Sequence, residues 1–381
     1  MSGPLKKSCF LFILFLLLTA ASAQEARPWW YVLEQGKFLF RQGDYGSALL
    51  AFEDARRQRY NSYAGMERDF INFLSIPEVR GIGDSLTTLE SYITERGHAD
   101  VEKALGELYY RVPRESLRDS ALLALEELGK FKDYPEAEYW IGEIYRVEGE
   151  LDLALGQYHK ALAQSARPED PNFELELLYK VADVYRFRQE FNRMEETLLK
   201  IVEGNNIRGE AWDSLWQGDA ADSGSFVRNS MARTLENSGP ERFLVMYRYN
   251  NGPVERAHRL LGFYYYASSR YNRAVEHLMF AFLIQNSILI EEVQRSRYDF
   301  VFESLENLLS SLPRGDTLVN FIDRVEYYRS AYYLGSSLYG SGRETSARTL
   351  WTFLGGREGQ WRGRALAQLQ QPSLEAAAEN P

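Results

Sequence analysis

The stretch WIGEIYRVEGELDLALGQYHKAL, from Trp140 to Leu162, determines how this chain is expected to fold. Small residues at Gly142, Gly149, Ala154 and Ala161 recur among large apolar residues that lie three and four positions apart. That spacing is typical of amphipathic helices. A glycine between two such helices ends the first and begins a turn, because a positive backbone dihedral costs little at glycine. The stretch therefore predicts a helical hairpin with small residues where its two helices cross.

Four further segments share this pattern. Each has a small first residue, a turn near its eighth place, a small or flexible residue at its thirteenth place and a large apolar residue four places later. The segments are GKFLFRQGDYGSALLAFEDA (Gly36–Ala55), ADVYRFRQEFNRMEETLLKI (Ala182–Ile201), GFYYYASSRYNRAVEHLMFA (Gly262–Ala281) and GSSLYGSGRETSARTLWTFL (Gly335–Leu354). One hairpin cannot bury its own apolar face, so we expect the hairpins to pack against one another.

These segments resemble tetratricopeptide (TPR) repeats, a family of helix–turn–helix repeats with a period of about 34 residues. The best match places small, aromatic and turn residues of the family pattern at Gly142, Tyr145, Gly149, Ala154, Tyr158 and Ala161. The sequence departs from the pattern at Gln35, where leucine is usual, and at Met194, where a small residue is usual. The resemblance implies an all-α fold, a right-handed α-solenoid of TPR-like repeats whose first helices line a concave groove.

The repeats and their interruptions divide the chain into five parts. We predict a signal peptide at 1–23, TPR-like repeats (some of them degenerate) at 24–203, a loop-containing linker at 204–253, further repeats with a capping helix at 254–370 and a flexible tail at 371–381. Within the linker, Gln217–Ser225 is small and polar, a composition typical of a loop.

The N-terminus has the features of a secretory signal peptide. The basic pair Lys6–Lys7 precedes the apolar run Cys9–Leu18, and Ala21 and Ala23 form an A-x-A cleavage pattern. The apolar run is shorter than the roughly 18 residues that a membrane-spanning helix needs, which argues against an uncleaved anchor. We therefore expect cleavage before Gln24 and no transmembrane segment afterwards.

The single cysteine of the chain, Cys9, lies ahead of the apolar run, where it is badly placed for lipid attachment. The processed chain then has no cysteine and no disulfide. Export without disulfides fits a bacterial envelope better than an animal secretory pathway. We predict an exported protein of the periplasm or envelope that is not a lipoprotein.

Charge and composition exclude some partners and leave others open. The formal net charge is −10 and no long Lys/Arg run occurs, so the basic face that nucleic-acid binding needs is absent. The 25 tyrosines fit packing between helices, and they equally fit a protein-binding surface. Composition does not separate these two interpretations.

The sequence carries no recognisable catalytic constellation. HExxH and G-x-S-x-G are absent. His258 and His277 fall on the two helices of one predicted hairpin and could approach each other. A shared metal is one interpretation, but no carboxylate–histidine ligand spacing accompanies the pair, so ordinary repeat positions are favoured. We expect a non-enzymatic protein without a metal or a cofactor.

The groove positions of the TPR family, carried over to this chain, give the candidate partner-binding residues. They are Tyr139, Glu143, Arg146, Tyr179, Asp183, Arg186, Arg259, Phe263, Tyr266 and Tyr332. Two copies share a tyrosine, an acid four places on and an arginine three places further, which puts each trio on one helical face. A ladder that grips a peptide or helix is one interpretation. Packing with solvated ion pairs, each worth under about 1 kcal/mol, is the other.

The resemblance implies a scaffold or adaptor of the bacterial cell envelope that binds a protein or peptide partner in its concave groove. A periplasmic accessory protein that binds a small ligand for a transporter is an alternative. A cell-wall enzyme is a further alternative, although no lysozyme-like domain follows the repeats. Assembly as a homo-oligomer also stays open.

Overall fold

A computed structural model describes residues 27–74, 129–164, 172–204, 221–313, 316–357 and 359–374. Within these ranges every regular element is an α-helix, so the predicted all-α class is confirmed. The predicted signal peptide at 1–23 lies outside the described residues, as does the predicted tail from residue 375 onwards.

The described helices fall into two compact units, Met1–Leu177 and Leu178–Pro381. In chain order they are α1 (Trp29–Arg41), α2 (Tyr45–Leu74), α3 (Pro135–Glu148), α4 (Leu151–Gln164), α5 (Phe173–Phe187), α6 (Phe191–Gly204), α7 (Ala221–Met246), α8 (Gly252–Ala267), α9 (Tyr271–Ser296), α10 (Leu305–Ser310), α11 (Asp316–Arg324), α12 (Tyr327–Gly340), α13 (Glu344–Gly355) and α14 (Gln360–Gln370). The division between the units falls inside α5, whereas the predicted linker 204–253 lies within the second unit.

Five hairpins, α1–α2, α3–α4, α5–α6, α8–α9 and α12–α13, coincide with the five repeated segments. We call the first residue of each segment the packing residue. In the four segments that begin with glycine it faces the large residue sixteen places later. A Cβ atom on Gly36 would lie 2.5 Å from the ring of Phe52, and one on Gly142 would lie 2.7 Å from the ring of Tyr158. Carbon atoms normally approach to about 3.5–4.0 Å. The predicted close crossing at a small residue is confirmed.

The turn of every hairpin falls seven residues after its packing residue, and its backbone is left-handed there. The positive φ angles are 81° at Gly43, 85° at Gly149, 60° at Gln189, 57° at Ser269 and 85° at Gly342. In each turn the following N–H donates to the carbonyl five residues earlier, for example from Glu150 to Tyr145 at 2.8 Å. This is the Schellman motif that ends a helix. Gln189 and Ser269 adopt it although a side chain makes it costlier than at glycine.

The seam of each hairpin is buried at the places that the repeats predict. The thirteenth residues of the segments, and the large residues four places later, are all buried. They are Ala48, Ala154, Met194, Ala274 and Ala347, with Phe52, Tyr158, Leu198, Leu278 and Trp351. Met194, the departure from the small-residue pattern, is therefore accommodated within the α5–α6 hairpin.

Within each unit the second helix of one hairpin packs on the first helix of another. In the first unit α2 packs on α3, where Ala48 and Phe52 share a cluster with Ala137 and Ile141. In the second unit α6 packs on α8, and α9 packs on α12. Each first helix in these pairs thus has a covering helix as well as its own hairpin partner.

The structure corrects the predicted loop at Gln217–Ser225. Ala221–Ser225 form the start of α7, so the loop assignment is wrong for these residues, while residues 217–220 lie outside the described ranges. Small polar residues favour turns only weakly when they lead into an apolar stretch, and α7 buries Leu235 and Phe243.

A kink interrupts α7 at Gly239, whose φ is 78°, and at the following Pro240. Proline lacks the N–H that would bond the carbonyl four residues earlier, that of Glu236. The hydroxyl of Ser346 on α13 donates to that carbonyl at 2.7 Å. The carbonyl that the proline leaves without a donor therefore accepts a hydrogen bond from another hairpin of the same unit.

One described helix, α9, is long and apolar enough to cross a membrane by length and composition. Of its most apolar stretch, 83% is buried inside the protein. Residues such as Leu278, Phe280 and Ile284 are fully enclosed by neighbouring helices. In this fold α9 is the central core helix of the second unit.

Candidate functional site

The structure buries Tyr139, the first candidate on α3. Its hydroxyl donates to the carboxylate of Glu176 at 2.5 Å. Its ring lies 5.3 Å from Trp140 and 5.9 Å from Phe173, in edge-to-face contacts. Burial, together with the neighbouring carboxylates, holds the pKa of Tyr139 far above its ordinary value. The side chain therefore packs α3 against the start of α5 and presents little surface to a ligand.

Glu143 and Arg146, the next two candidates, form one charge-balanced group. The buried carboxylate of Glu143 accepts two hydrogen bonds from Arg146, at 3.2 and 2.9 Å, and another from the hydroxyl of Tyr158. The hydrogen bond to Glu143 raises the pKa of Arg146. The guanidinium of Arg146 is half-buried, so one side of it remains open to solvent.

The equivalent trio on α5 is organised around α8. The buried hydroxyl of Tyr179 donates to the carbonyl of Pro253 at 2.7 Å and accepts from the N–H of Ala257 at 3.1 Å. Asp183 forms ion pairs with Arg256 at 2.7 Å and with Arg186 at 3.7 Å. Tyr179 thus anchors the N-terminal turns of α8, and Asp183 accepts a hydrogen bond from one guanidinium group, that of Arg256.

Arg146 and Arg186 occupy the same place in their hairpins, four residues after the packing residue. Each is half-buried, and each lies beside an acid three residues earlier in its own helix. A guanidinium that is already oriented loses less freedom when a ligand binds it than a mobile one does. Both arginines are part-exposed, and two hydrogen bonds to Glu143 also fix the geometry of Arg146.

Arg259 lies in a buried chain of alternating charges in the second unit. Its Nε atom donates to Glu255 at 3.0 Å, and its other end pairs with Glu326. Glu326 also accepts from Arg329 at 2.5 Å, and Glu255 accepts from Gln285 at 2.7 Å. Burial raises the pKa of Glu255, while Arg259 and Gln285 oppose that rise.

The aromatic candidates Phe263, Tyr266 and Tyr332 are buried where α8, α12 and α14 meet. The rings of Phe263 and Tyr266 lie 5.5 and 4.9 Å from that of Tyr333. The guanidinium of Arg329 lies 4.5 Å from the centre of the Phe263 ring, within cation–π range. These rings fill the space between the helices.

Sequence reasoning missed Glu326 and Arg256 as members of these clusters. Glu326 is a non-glycine residue with a φ of 48°, held between Arg259 and Arg329. Its partner Arg259 lies 67 residues away in the chain, so no local spacing pointed to it.

The histidine pair approaches as the sequence indicated. The Nδ1 atoms of His258 and His277 lie 3.1 Å apart, and both rings are buried. His258 stacks on Phe280 and His277 packs on Tyr265. Burial lowers the pKa of His258 to about 3. In the described part of the chain no group of three or more histidines, cysteines and acids is placed to hold a metal ion.

A bacterial protein is similar to most of this chain. The chain matches no family model. An uncharacterised protein from Treponema pallidum (strain Nichols) is 22% identical over 325 residues, which cover 84% of each chain. The two proteins are similar over most of their lengths.

Proposed function

We propose that this chain is a non-enzymatic scaffold or adaptor of the bacterial cell envelope. In this proposal its hairpins are TPR-like repeats that continue as a right-handed solenoid, and a protein or peptide partner binds along their first helices. The observation that carries the proposal is the common register of five hairpins, each with a packing residue, a left-handed turn seven places on and a buried large residue sixteen places on. Repeat proteins use such units to build extended binding surfaces.

Two part-exposed arginines support partner binding. Hydrogen bonds to Glu143 set the direction of the Arg146 guanidinium group, and Arg186 lies 3.7 Å from Asp183 in an ion pair. Arginine is enriched at binding hot spots because its planar group forms several hydrogen bonds and stacks on aromatic rings. An extended peptide with carboxylates or carbonyl groups is the ligand class that fits these donors.

The envelope location rests on the predicted signal peptide and on composition. A basic start, a short apolar run and the A-x-A pattern ending at Ala23 favour export. A relative in Treponema pallidum, a bacterium, supports a bacterial setting.

Site-specific photo-crosslinking in cells tests the proposal. A photoreactive residue is placed at Arg146 or Arg186, and at the exposed Leu153 of α4 as the matched control. We expect both arginine positions to yield an adduct with a protein, identified by mass spectrometry, and Leu153 to yield none. Arg146→Ala together with Arg186→Ala should then lower the affinity for that protein at least tenfold.

The buried tyrosines are kept unchanged in this experiment because their loss would disturb packing. Unchanged affinity of the double arginine variant, in protein whose helix content matches wild type, would contradict groove binding. Adducts that are equally frequent from Leu153 would contradict it as well.

A further inference from the structure

The outer face of α1 differs from the same face of the other first helices. On α3, the residues five places before and two places after the packing residue are Ala137 and Ile144, both buried by α2 and its neighbours. The corresponding residues of α1 are Tyr31 and Phe38, which are 43% and 56% exposed. Aromatic residues thus occupy on α1 the places that are enclosed on α3.

The second unit repeats the enclosed arrangement. On α8 these places hold Ala257 and Tyr264, both buried, and Tyr264 stacks on Phe191 of α6 at 5.8 Å. On α12 they hold Ser330 and Ser337, which are fully buried and lie on a helix that packs against α9. The face that α2, α6 and α9 cover on these helices is therefore one that binds a neighbouring helix in this fold.

We call Trp30, Tyr31 and Phe38 the α1 patch. Trp30 is 54% exposed, and its ring lies 6.2 Å from that of Tyr31. Phe38 follows two helical turns later on the same side of α1. Between Tyr31 and Phe38 the same side of α1 holds Glu34 and Gln35, which are also exposed. Three large aromatic side chains exposed on one helix mark a candidate interaction site.

Cationic residues lie at both ends of the α1 patch. Arg27 and Arg41 are exposed, and within the described part of the chain neither has a carboxylate at ion-pair distance. Between them, Lys37 and Glu34 neutralise each other at 2.6 Å. Two positive charges about 20 Å apart therefore frame the patch on a chain whose net charge is −10.

The charges argue against a second copy of this chain as the occupant. Two α1 patches in contact would bring the arginines of both copies together. The last described helix, α14, exposes Leu366 beside Arg362 and Arg364, so a contact between α14 of one copy and α1 of another would also join like charges. Like charges across an interface oppose association.

We propose that the α1 patch docks one amphipathic helix of a partner protein. The helix takes the place that α2 takes on α3, lays an apolar stripe on Trp30, Tyr31 and Phe38, and carries acidic residues that pair with Arg27 and Arg41. Aromatic residues and arginine are the side chains that dominate such helix-docking interfaces. This surface shares no residue with the arginines of the proposed groove, so the two proposals can be tested independently.

A synthetic helix tests this docking. The probe is a fluorescent peptide of residues 191–204, the helix that covers the equivalent face of α8, held helical by a staple and extended with glutamates at both ends. A second probe carries lysines in place of those glutamates. The protein is the chain from Gln24 onwards, and binding is measured by fluorescence anisotropy. We expect the acidic probe to bind at least ten times more tightly than the basic probe.

Two sets of variants assign the binding to the α1 patch. Tyr31→Ser with Phe38→Ser should lower the affinity for the acidic probe at least tenfold. The matched changes Leu50→Ser and Leu153→Ser, at exposed apolar residues of α2 and α4, should leave it unchanged. Because these side chains are exposed, helix content should match wild type in every variant. Arg27→Glu with Arg41→Glu should reverse the preference between the probes without removing any apolar contact.

Three results would overturn the proposal. The first is equal binding of both probes that persists in the Tyr31/Phe38 variant. The second is no probe binding together with a dimer, seen by light scattering, that this variant dissociates, since a second copy would then be the occupant. The third is no probe binding by a monomer. Crosslinking at Arg146 and Arg186 is independent of all three, so failure here does not decide the groove proposal.

Discussion

Mild acid is expected to destabilise the second compact unit through His258. The ring of His258 is fully buried among Phe280 and His277, and burial alone lowers its pKa to about 3. The two Nδ1 atoms lie 3.1 Å apart, so one hydrogen bond between them uses a single proton. A further proton on His258 would place a positive charge in a site that solvent does not reach. The folded chain therefore keeps His258 neutral at pH values where the unfolded chain protonates it.

The size of the effect follows from proton linkage. An unfolded histidine has a pKa of about 6.5, and the folded pKa is about 3. Because the folded pKa is the lower one, the stabilising contribution is fully present above pH 6.5 and is lost as the pH falls towards 3. Between pH 7 and pH 5 this single group should lower the free energy of unfolding by about 2 kcal/mol. That is a large share of the roughly 5–15 kcal/mol that holds a typical domain folded.

The assay compares pH dependence within each variant, so that a uniform loss of stability cancels. Urea unfolding is measured at pH 7 and pH 5 for wild type, for His258→Gln and for His159→Gln. His159 lies on the exposed side of α4 and is the matched control. The loss between the two pH values should shrink by about 2 kcal/mol in His258→Gln and stay unchanged in His159→Gln. An NMR titration of the imidazole protons should show that His258 does not titrate above pH 4.

Equal losses in wild type and in His258→Gln would refute this reasoning. So would an imidazole resonance of His258 that titrates between pH 6 and 7 in the folded chain. Either result would mean that solvent reaches the pair or that the two helices separate before the histidine is protonated.

Gly142→Ala should destabilise the first unit by about 1–3 kcal/mol in urea unfolding, because the new Cβ atom would lie 2.7 Å from the ring of Tyr158. The same change at exposed Gly156, which has open space around it, should stabilise that unit by about 0.5–1 kcal/mol. Ser269→Gly should stabilise the second unit by up to about 1 kcal/mol, since its φ of 57° suits glycine, and a lower unfolding midpoint would contradict this. Ser346→Ala should cost about 1–3 kcal/mol because the carbonyl of Glu236 loses its donor, whereas the exposed Thr352→Ala should change stability by no more than about 0.5 kcal/mol.

The local geometry of the hairpins could be read from the sequence because it depends on short spacings. A packing residue, a turn seven places on and a large residue sixteen places on all lie within one segment, so one alignment of five segments reveals them. Even the departures obey the register, since Gln189 and Ser269 take the left-handed turn where Gly149 predicts it. The loop at Gln217–Ser225 was wrong in part because composition describes single residues, whereas α7 forms through distant contacts.

Contacts between hairpins could not be read in this way. The chain of Glu255, Arg259 and Glu326 joins α8 to the start of α12, and no periodicity relates residues 67 places apart. The same limit applies to the α1 patch. A first helix has the same apolar spacing whether its outer face is covered or open, and only the structure shows that Tyr31 and Phe38 are open.

The three residues of each Tyr–acid–Arg trio differ in burial because they differ in what they contact. Tyr179 is buried because its hydroxyl bridges Pro253 and Ala257, and Asp183 lies at the edge of the same contact. The arginine, one turn further along the helix, is the most exposed member of the trio. Packing by the tyrosine is compatible with the proposed binding by the arginine. Tyr139 and Tyr179 hold neighbouring helices in place, so a test of the proposed binding has to alter the arginines and leave the tyrosines intact.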